Sequence, residues 1–333
     1  MRTFEPKELM KPVVTVTNIF SETALERLRQ RCHVVYNDSG ASLPVAELKQ
    51  RAAESDAMVT YLSDRIDSEV LGAGNKLKLV ANYGAGFNNI DVARARQNQI
   101  WVTNTPGVLH ETTADLTWAL MLGIARAIVP ADRYTREGHF TGWQAKLFLG
   151  HDVYGKTLGV IGCGEIGRAV ARRALGFDMK VLYCQRNRLP EEQEQRLNAA
   201  FVPLEQLLRE SDFVTLHVPL TEETRYMIRA EQIAMMKPTA YLINTARGKV
   251  MDDRALVEAL KKGTIAGAAL DVFENEPELT EGMTELNNIL IPPHIGSASH
   301  ATREVMANLV VDNVFDALDG ATPRTLVPGW NGG

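Results

Sequence analysis

The chain has 333 residues, with 41 acidic and 36 basic side chains and a formal net charge of −5. At roughly 150 residues per domain, that length predicts two domains, each able to bury its own core. An acidic balance with no Lys/Arg tract lacks the electrostatic footprint that nucleic acid or an anionic membrane surface demands, so neither partner is expected. The most apolar helix candidate is free of charge only from Leu116 to Ala125, too short a run to cross a hydrocarbon core. The opening MRTFEPKELMKP places acids and prolines where an export signal needs an apolar stretch. Cys32, Cys163 and Cys184 have no CxxC spacing, which predicts neither a disulfide framework nor a metal site and fits a cytoplasmic setting.

Short β-branched runs alternate with helical patterns along the whole chain, the signature of βαβ units and an α/β class. The first strands are expected at Val13 to Thr17, His33 to Tyr36, Ala57 to Tyr61, Leu77 to Asn82 and Trp101 to Asn104, with Ser21 capping the helix after the first. A long helix from about Glu111 to Val129, ended by Pro130, leads into a polar crossing segment from Asp132 to Gly155. Six further strands follow at Thr157 to Gly162, Lys180 to Cys184, Phe213 to Val218, Ala240 to Ala246, Gly267 to Phe273 and Asn288 to Ile291. The last helix, about Ala301 to Leu318, is expected to return to the first unit, and the Gly-Gly end to fray.

The segment TLGVIGCGEIG runs an apolar strand into Gly162, Gly164 and Gly167 in the order GxGxxG, with a helix expected from Arg168. The first glycine permits the tight turn, the second admits a pyrophosphate to the backbone, and the third lets helix and strand pack closely. The helix N-terminus then offers unpaired N–H groups to the phosphates. After the next strand the chain reads VLYCQRNR, where an NAD site usually places an acid for the ribose 2′-hydroxyl. Cys184 and Gln185 are uncharged there, and Arg186 and Arg188 follow, suited to a 2′-phosphate. NADPH is therefore expected over NADH, the alternative being that the two arginines form a solvated surface cluster.

Three later strand ends carry polar groups: Arg247 in INTARG, Asp271 and Glu276 in DVFENEP, and His294 in IPPHIGSAS. Ligands of open parallel sheets bind beyond the carboxyl ends of strands, so these side chains are expected on one rim with the glycine loop. A cation, an acid and an imidazole on that rim suit hydride transfer to a 2-keto acid. Arg247 can hold the carboxylate, His294 can protonate the developing alkoxide, and Glu276 can orient the imidazole and stabilise its charged form. Gly84 and Gly86, after another apolar strand, leave backbone N–H groups free for an anion.

With these residues in view, the chain resembles the D-isomer-specific 2-hydroxyacid dehydrogenase family, and within it the glyoxylate/hydroxypyruvate reductases. The blocks NYGAGFNNID, NTPGVLHETTADLTWAL, GKTLGVIGCGEIG, INTARGKVMDD, AALDVFENEP and PPHIGSAS carry the resemblance across nearly the whole chain. It implies two doubly wound parallel-sheet domains with an active-site cleft between them. Residues 1–109 with 298–333 would form a flavodoxin-like substrate domain, and residues 110–297 an NAD(P)-binding Rossmann domain. It further implies the catalytic set Arg247, Glu276 and His294, and a substrate loop through Gly84, Ala85 and Gly86. Cofactor contacts are implied for Thr113, Glu165, Ile166, Val218, Pro219, Thr245, Ala246, Asp271 and Gly296, beside the glycines, Gln185 and the two arginines. A homodimer is implied, with Trp143 near the partner's active site. One departure stands out: Glu165 occupies a place where many relatives carry Arg, unfavourable beside a pyrophosphate unless it turns away or pairs with a base such as Arg168.

The activity implied is NADPH-dependent reduction of glyoxylate and hydroxypyruvate, with no metal. The alternatives are a broader 2-keto acid reductase acting on, for example, 2-ketogluconate, a phosphite dehydrogenase, and a non-enzymatic dinucleotide-sensing binding protein of the corepressor kind. A regulatory domain of the long phosphoglycerate dehydrogenases is not expected after His294.

Overall fold

Every strand pairing within the two sheets is parallel, which buries strands on both faces and calls for helices on each side. The computed structural model describes residues 11–330; the expectations for the N-terminal leader and the Gly-Gly end fall largely outside them. The chain divides into two compact units, one running to Leu109 and resuming at Ser299, the other His110–Ala298.

In the first unit β1 (Val13–Val16), β2 (His33–Tyr36), β3 (Ala57–Thr60), β4 (Leu79–Asn82) and β5 (Trp101–Thr103) form a sheet in the order β2-β1-β3-β4-β5. The helices α1 (Glu22–Arg31), α2 (Val45–Glu54), α3 (Ser68–Ala73) and α4 (Val92–Gln97) connect them. Alternation along the strands sorts the core. Val14, Val16, Ala57, Val59, Leu79 and Ala81 face Leu25 and Leu28 of α1 and Met306, Val310 and Val314 of the last helix, α12 (His300–Leu318). Met58, Val80 and Val102 point the other way, onto Leu48, Val70, Leu71 and Ala95. Ser21 accepts the Ala24 N–H and so starts α1 as expected.

The second unit opens with α5 (His110–Ala125) and α6 (Ile128–Arg136). Its strands are β6 (Thr157–Ile161), β7 (Lys180–Cys184), β8 (Ala199–Phe201), β9 (Phe213–Leu216), β10 (Tyr241–Asn244), β11 (Gly267–Leu270) and β12 (Ile289–Leu290). Its remaining helices are α7 (Glu165–Ala174), α8 (Glu191–Leu197), α9 (Leu204–Glu210), α10 (Ala230–Ala234) and α11 (Asp253–Lys262). The sheet order β12-β11-β10-β9-β6-β7-β8 reverses direction between β6 and β9, the point at which doubly wound sheets bind ligands. Leu158, Val160, Val181, Tyr183 and Ile243 pack under α5 and α7, while Ile161, Leu182, Val214, Leu216 and Leu242 pack under α9 to α11. Each fully buried aliphatic side chain of this kind stabilises the fold by about 1.5–3 kcal/mol.

Two expectations are corrected. The sheet has a seventh strand, β8, a three-residue edge strand, short and largely exposed. The helix expected to run from about Glu111 to Val129 is two helices bent by 64°. Its first half ends at Ala125 because the Ala125 carbonyl takes the His151 N–H at 2.9 Å, and Gly150 packs where a Cβ would stand 2.2 Å from that oxygen. Ala127 then turns left-handed, with φ 51°, and Pro130 lies in the first turn of α6, where no backbone donor is needed. Among the described residues no single helix is long and apolar enough to cross a membrane.

Candidate active site

The glycine loop leaves β6 at the direction reversal of the sheet and enters α7. Gly162 has φ 91°, and a Cβ there would lie 2.8 Å from the His217 carbonyl carbon, so this turn requires glycine. At Gly167 a Cβ would lie 2.1 Å from the Gly162 oxygen, which measures how closely α7 approaches its strand. At Gly164, the α7 N-cap, a Cβ would meet nothing within 4 Å, leaving the loop backbone and helix N-terminus open to an anion. The helix begins at Glu165, three residues earlier than expected, and Glu165 is exposed in its first turn with Ile166 half-buried behind it. Arg168 does not pair with Glu165; its guanidinium reaches the Cys163 carbonyl at 3.5 Å.

Beyond β7, Gln185 ties the loop down: its side-chain oxygen accepts the Cys163 N–H at 3.0 Å, and its amide donates to the Asn187 carbonyl at 2.6 Å. Arg186 is exposed, and its charge reaches Glu223. Arg188 behaves differently from the expected phosphate ligand. Its guanidinium binds Glu194 through Nε at 2.9 Å and Nη2 at 2.8 Å, and the same carboxylate accepts the buried Tyr183 hydroxyl. The Arg188 and Tyr183 donors together hold Glu194 down at about 2.

The ends of β10, β11 and β12 bring the polar set together. His294 Nδ1 lies 2.7 Å from Glu276 Oε2, and Glu276 Oε1 accepts the Phe273 N–H at 3.0 Å. Burial pushes the Glu276 carboxyl up, but the His294 bond and charge, the Phe273 N–H and the Arg247 charge together bring it below its ordinary value. Arg247 follows β10 half-buried, with Nη1 on the Ala246 carbonyl at 2.6 Å; burial lowers its pKa, opposed by Glu276. It remains charged, as guanidinium groups do in proteins.

Asp271, implied as a cofactor contact, holds two backbone amides: Oδ1 accepts the Ile295 N–H at 2.7 Å and Oδ2 the Gly296 N–H at 2.8 Å. Burial pushes its carboxyl up, while those two donors and the His294 charge pull it down. This clamp sits directly after His294, whose backbone is left-handed, with φ 53°, a conformation that costs a non-glycine residue energy unless neighbours hold it.

Thr113 and Asp271 both crowd Gly296, where a Cβ would stand 3.1 Å from the Asp271 carboxylate. Thr245 shares a hydrogen bond with Thr117 of α5 at 3.0 Å, and Ala246 is buried beside it. Val218 and Pro219 continue from His217 past Gly162. His217 itself escaped sequence reasoning: both ring nitrogens are buried without a hydrogen-bond partner among the described residues, and burial lowers its pKa to about 3. Its place directly after β9 on the glycine-loop rim was the available signal. Among the described residues no cluster of three His, Cys, Asp or Glu could hold a metal ion.

In the first unit, the carbonyls of Gly84, Ala85 and Gly86 accept from the Thr105 N–H at 3.0 Å, the Asn104 amide at 2.6 Å and the Asn82 amide at 2.6 Å. The Gly84 N–H, expected to be free for an anion, instead donates to the Asn82 carbonyl at 3.0 Å. In a trans peptide the next N–H points opposite to the carbonyl, so the N–H groups that follow Gly84 turn away from this anchorage. Trp143 of the second unit is 86% exposed.

The family model described as D-isomer specific 2-hydroxyacid dehydrogenase, NAD binding domain, matches residues 118–296. A glyoxylate reductase of Thermococcus gammatolerans is 49% identical over 322 residues, 96% of each chain. The chain belongs to the D-isomer specific 2-hydroxyacid dehydrogenase family. A glyoxylate reductase of Pyrococcus horikoshii is 51% identical over 322 residues, again 96% of each chain. The solved structure of an NADPH-dependent glyoxylate/hydroxypyruvate reductase from Sinorhizobium meliloti, in complex with NADP and malonate, superposes with a TM-score of 0.86 at 32% identity, covering 96% of this chain and 97% of that one. As a 2-hydroxyacid dehydrogenase this chain is an NAD(P)-dependent oxidoreductase of a small keto or hydroxy acid. The open Gly164 and the closely packed Gly162 and Gly167 suit the dinucleotide of such a dehydrogenase.

Proposed function

We propose that this 2-hydroxyacid dehydrogenase reduces glyoxylate and hydroxypyruvate to glycolate and D-glycerate, with NADPH as preferred donor. The observation that carries the reading is the 2.7 Å contact of His294 Nδ1 with Glu276, beside a half-buried, charged Arg247. With Nδ1 committed to the carboxylate, Nε2 is the ring nitrogen left to serve the substrate. The cofactor, when bound, supplies the hydride to the keto carbon. Arg247 binds the substrate carboxylate and polarises the keto oxygen; His294 Nε2 gives its proton to that oxygen as charge develops; Glu276 steadies the imidazolium until it does. In the Gly84, Ala85 and Gly86 loop, the N–H groups of Ala85 and Gly86 assist with the substrate carboxylate. Residues 110–297 serve as the cofactor domain and residues 1–109 with 298–333 as the substrate domain.

Cofactor contacts on this reading come from Gly162, Gly164, Gly167, Gln185 and Arg186 at the phosphates and ribose, and from Thr113, Thr245, Ala246 and Gly296 nearer the nicotinamide. The unpaired, buried or half-buried Cys32, Cys163 and Cys184 suit a reducing compartment, and the cytoplasm is the setting we assign. A homodimer, with Trp143 at its interface, completes the reading.

A panel of 2-keto acids with NADPH and NADH tests it, followed by loss of absorbance of the reduced nicotinamide. Glyoxylate and hydroxypyruvate should show the highest kcat/KM; a higher value for 2-ketogluconate, phenylpyruvate or pyruvate overturns the substrate assignment. His294→Ala should lower kcat by about 10²- to 10⁴-fold while NADPH still binds.

A further inference from the structure

Resting on the reading above, in which His294 donates the proton, we infer that Asp253 is a positioning residue for the reaction, fixing through a backbone bond the loop from which Glu276 reaches His294. Asp253 opens α11, yet it does not cap that helix; Asp252 does, accepting the Ala255 N–H at 3.0 Å. The Asp253 side chain is fully buried, and its Oδ2 accepts the Glu274 N–H at 2.9 Å. Oδ1 is buried with no well-formed hydrogen bond among the described residues. A carboxylate has thus been taken out of water chiefly for one amide of a distant loop, a costly arrangement that α11 itself does not need. Burial, with the charges of Glu274 and Asp252, pushes its carboxyl up to about 6 against the pull of the Glu274 N–H and the Thr280 side chain.

The peptide between Phe273 and Glu274 is where the site's parts meet. Its N–H points to Asp253. Its carbonyl, on the opposite side, lies against Gly248, where a Cβ would stand 1.8 Å from the Phe273 oxygen. Gly248 directly follows Arg247, so one face of this peptide abuts the turn that carries the cation. The preceding amide, Phe273 N–H, donates to Glu276 Oε1, and Glu276 Oε2 meets His294. Rotation of this single peptide would press on the Arg247 turn and swing the carboxylate that orients the imidazole. Asp253 is the side chain that holds it from the N–H side.

Hydrogen exchange on the wild-type enzyme tests the bond directly: the Glu274 amide should exchange at least about 100-fold more slowly than an unprotected amide. Free exchange there overturns the inference. In kinetics, Asp253→Ala should lower kcat by about 10- to 100-fold with the KM for NADPH unchanged, the range that misplacement of a catalytic group produces. Asp253→Asn keeps an oxygen to accept the N–H and should hold kcat within about threefold of wild type. Full kcat in Asp253→Ala, or a tenfold loss in Asp253→Asn, overturns the role. If Asp253→Ala does not fold, wild-type exchange and the Asn variant decide. Wild-type turnover of glyoxylate and its loss in His294→Ala, measured alongside, report separately on the functional reading.

Discussion

Arg186 and Arg188 stand two residues apart and meet different chemistry. Arg188 is spent on Glu194, whose carboxylate also serves Tyr183. Arg186 forms no ion pair among the described residues, so it is the side chain available to a 2′-phosphate. A charge-assisted contact of that kind is worth about 1.5–3 kcal/mol, or roughly 10- to 150-fold in affinity. Arg186→Ala should raise the KM for NADPH by about that factor and leave NADH nearly unchanged, with Arg188→Ala changing NADPH less; equal losses for both cofactors remove the assignment. Glu194 makes a separate prediction about acid. Its folded pKa, about 2, lies below its ordinary carboxylate value, so the folded state binds fewer protons between the two. The stabilisation is complete above the unfolded value, near pH 4.5, and is lost as pH falls toward 2. The Tm difference between wild type and Glu194→Gln should be constant above about pH 5 and shrink on acidification toward pH 2. A difference that does not change with pH contradicts the pairing.

At the scale of elements, the glycine loop separates two demands that its sequence pattern presents as one. Gly167 serves packing, with the Gly162 oxygen 2.1 Å from a Cβ, whereas Gly164 opens onto empty space. Gly167→Ala should push α7 from β6 and destabilise by about 1–3 kcal/mol, a Tm loss of several degrees. Gly164→Ala should leave Tm nearly unchanged and weaken cofactor binding, read by fluorescence titration with NADPH. Equal Tm losses in both variants would show that Gly164 also serves packing. Helix α5 teaches a related point: the proline signal lay at Pro130, but the close approach of Gly150 and His151 to the Ala125 carbonyl ends the helix first. A local breaker marks where a helix cannot continue, and a distant segment can stop it sooner.

For the whole molecule, Trp143, Leu149 and Phe140 expose large apolar side chains on one stretch of chain, at 86%, 75% and 53%. Buried tryptophans dominate interface energies, so these residues suit the dimer proposed above. Light scattering should give about twice the 36.8 kDa chain mass, and Trp143→Ala should raise the dimer dissociation constant at least about 30-fold, equivalent to 2 kcal/mol. A monomeric wild type rules out the dimer.

Much of this protein was legible before folding. Alternation of apolar residues assigns Val59 and Met58 to opposite faces of a parallel sheet, and GxGxxG after an apolar strand marks the loop at the sheet's reversal. These are local properties, set by the period of side chains along a strand and by the few conformations only glycine adopts. Arg247, Glu276 and His294 could be placed on one rim because each follows a strand of the same sheet. The partners of the buried carboxylates could not be read in that way. That Asp271 holds the Ile295 and Gly296 amides, and that Asp253 holds Glu274 rather than capping α11, depends on backbone N–H groups 21 to 25 residues away. Every residue except proline carries that donor, so sequence identity does not mark it, and only the tertiary path of the chain decides which N–H a buried carboxylate meets.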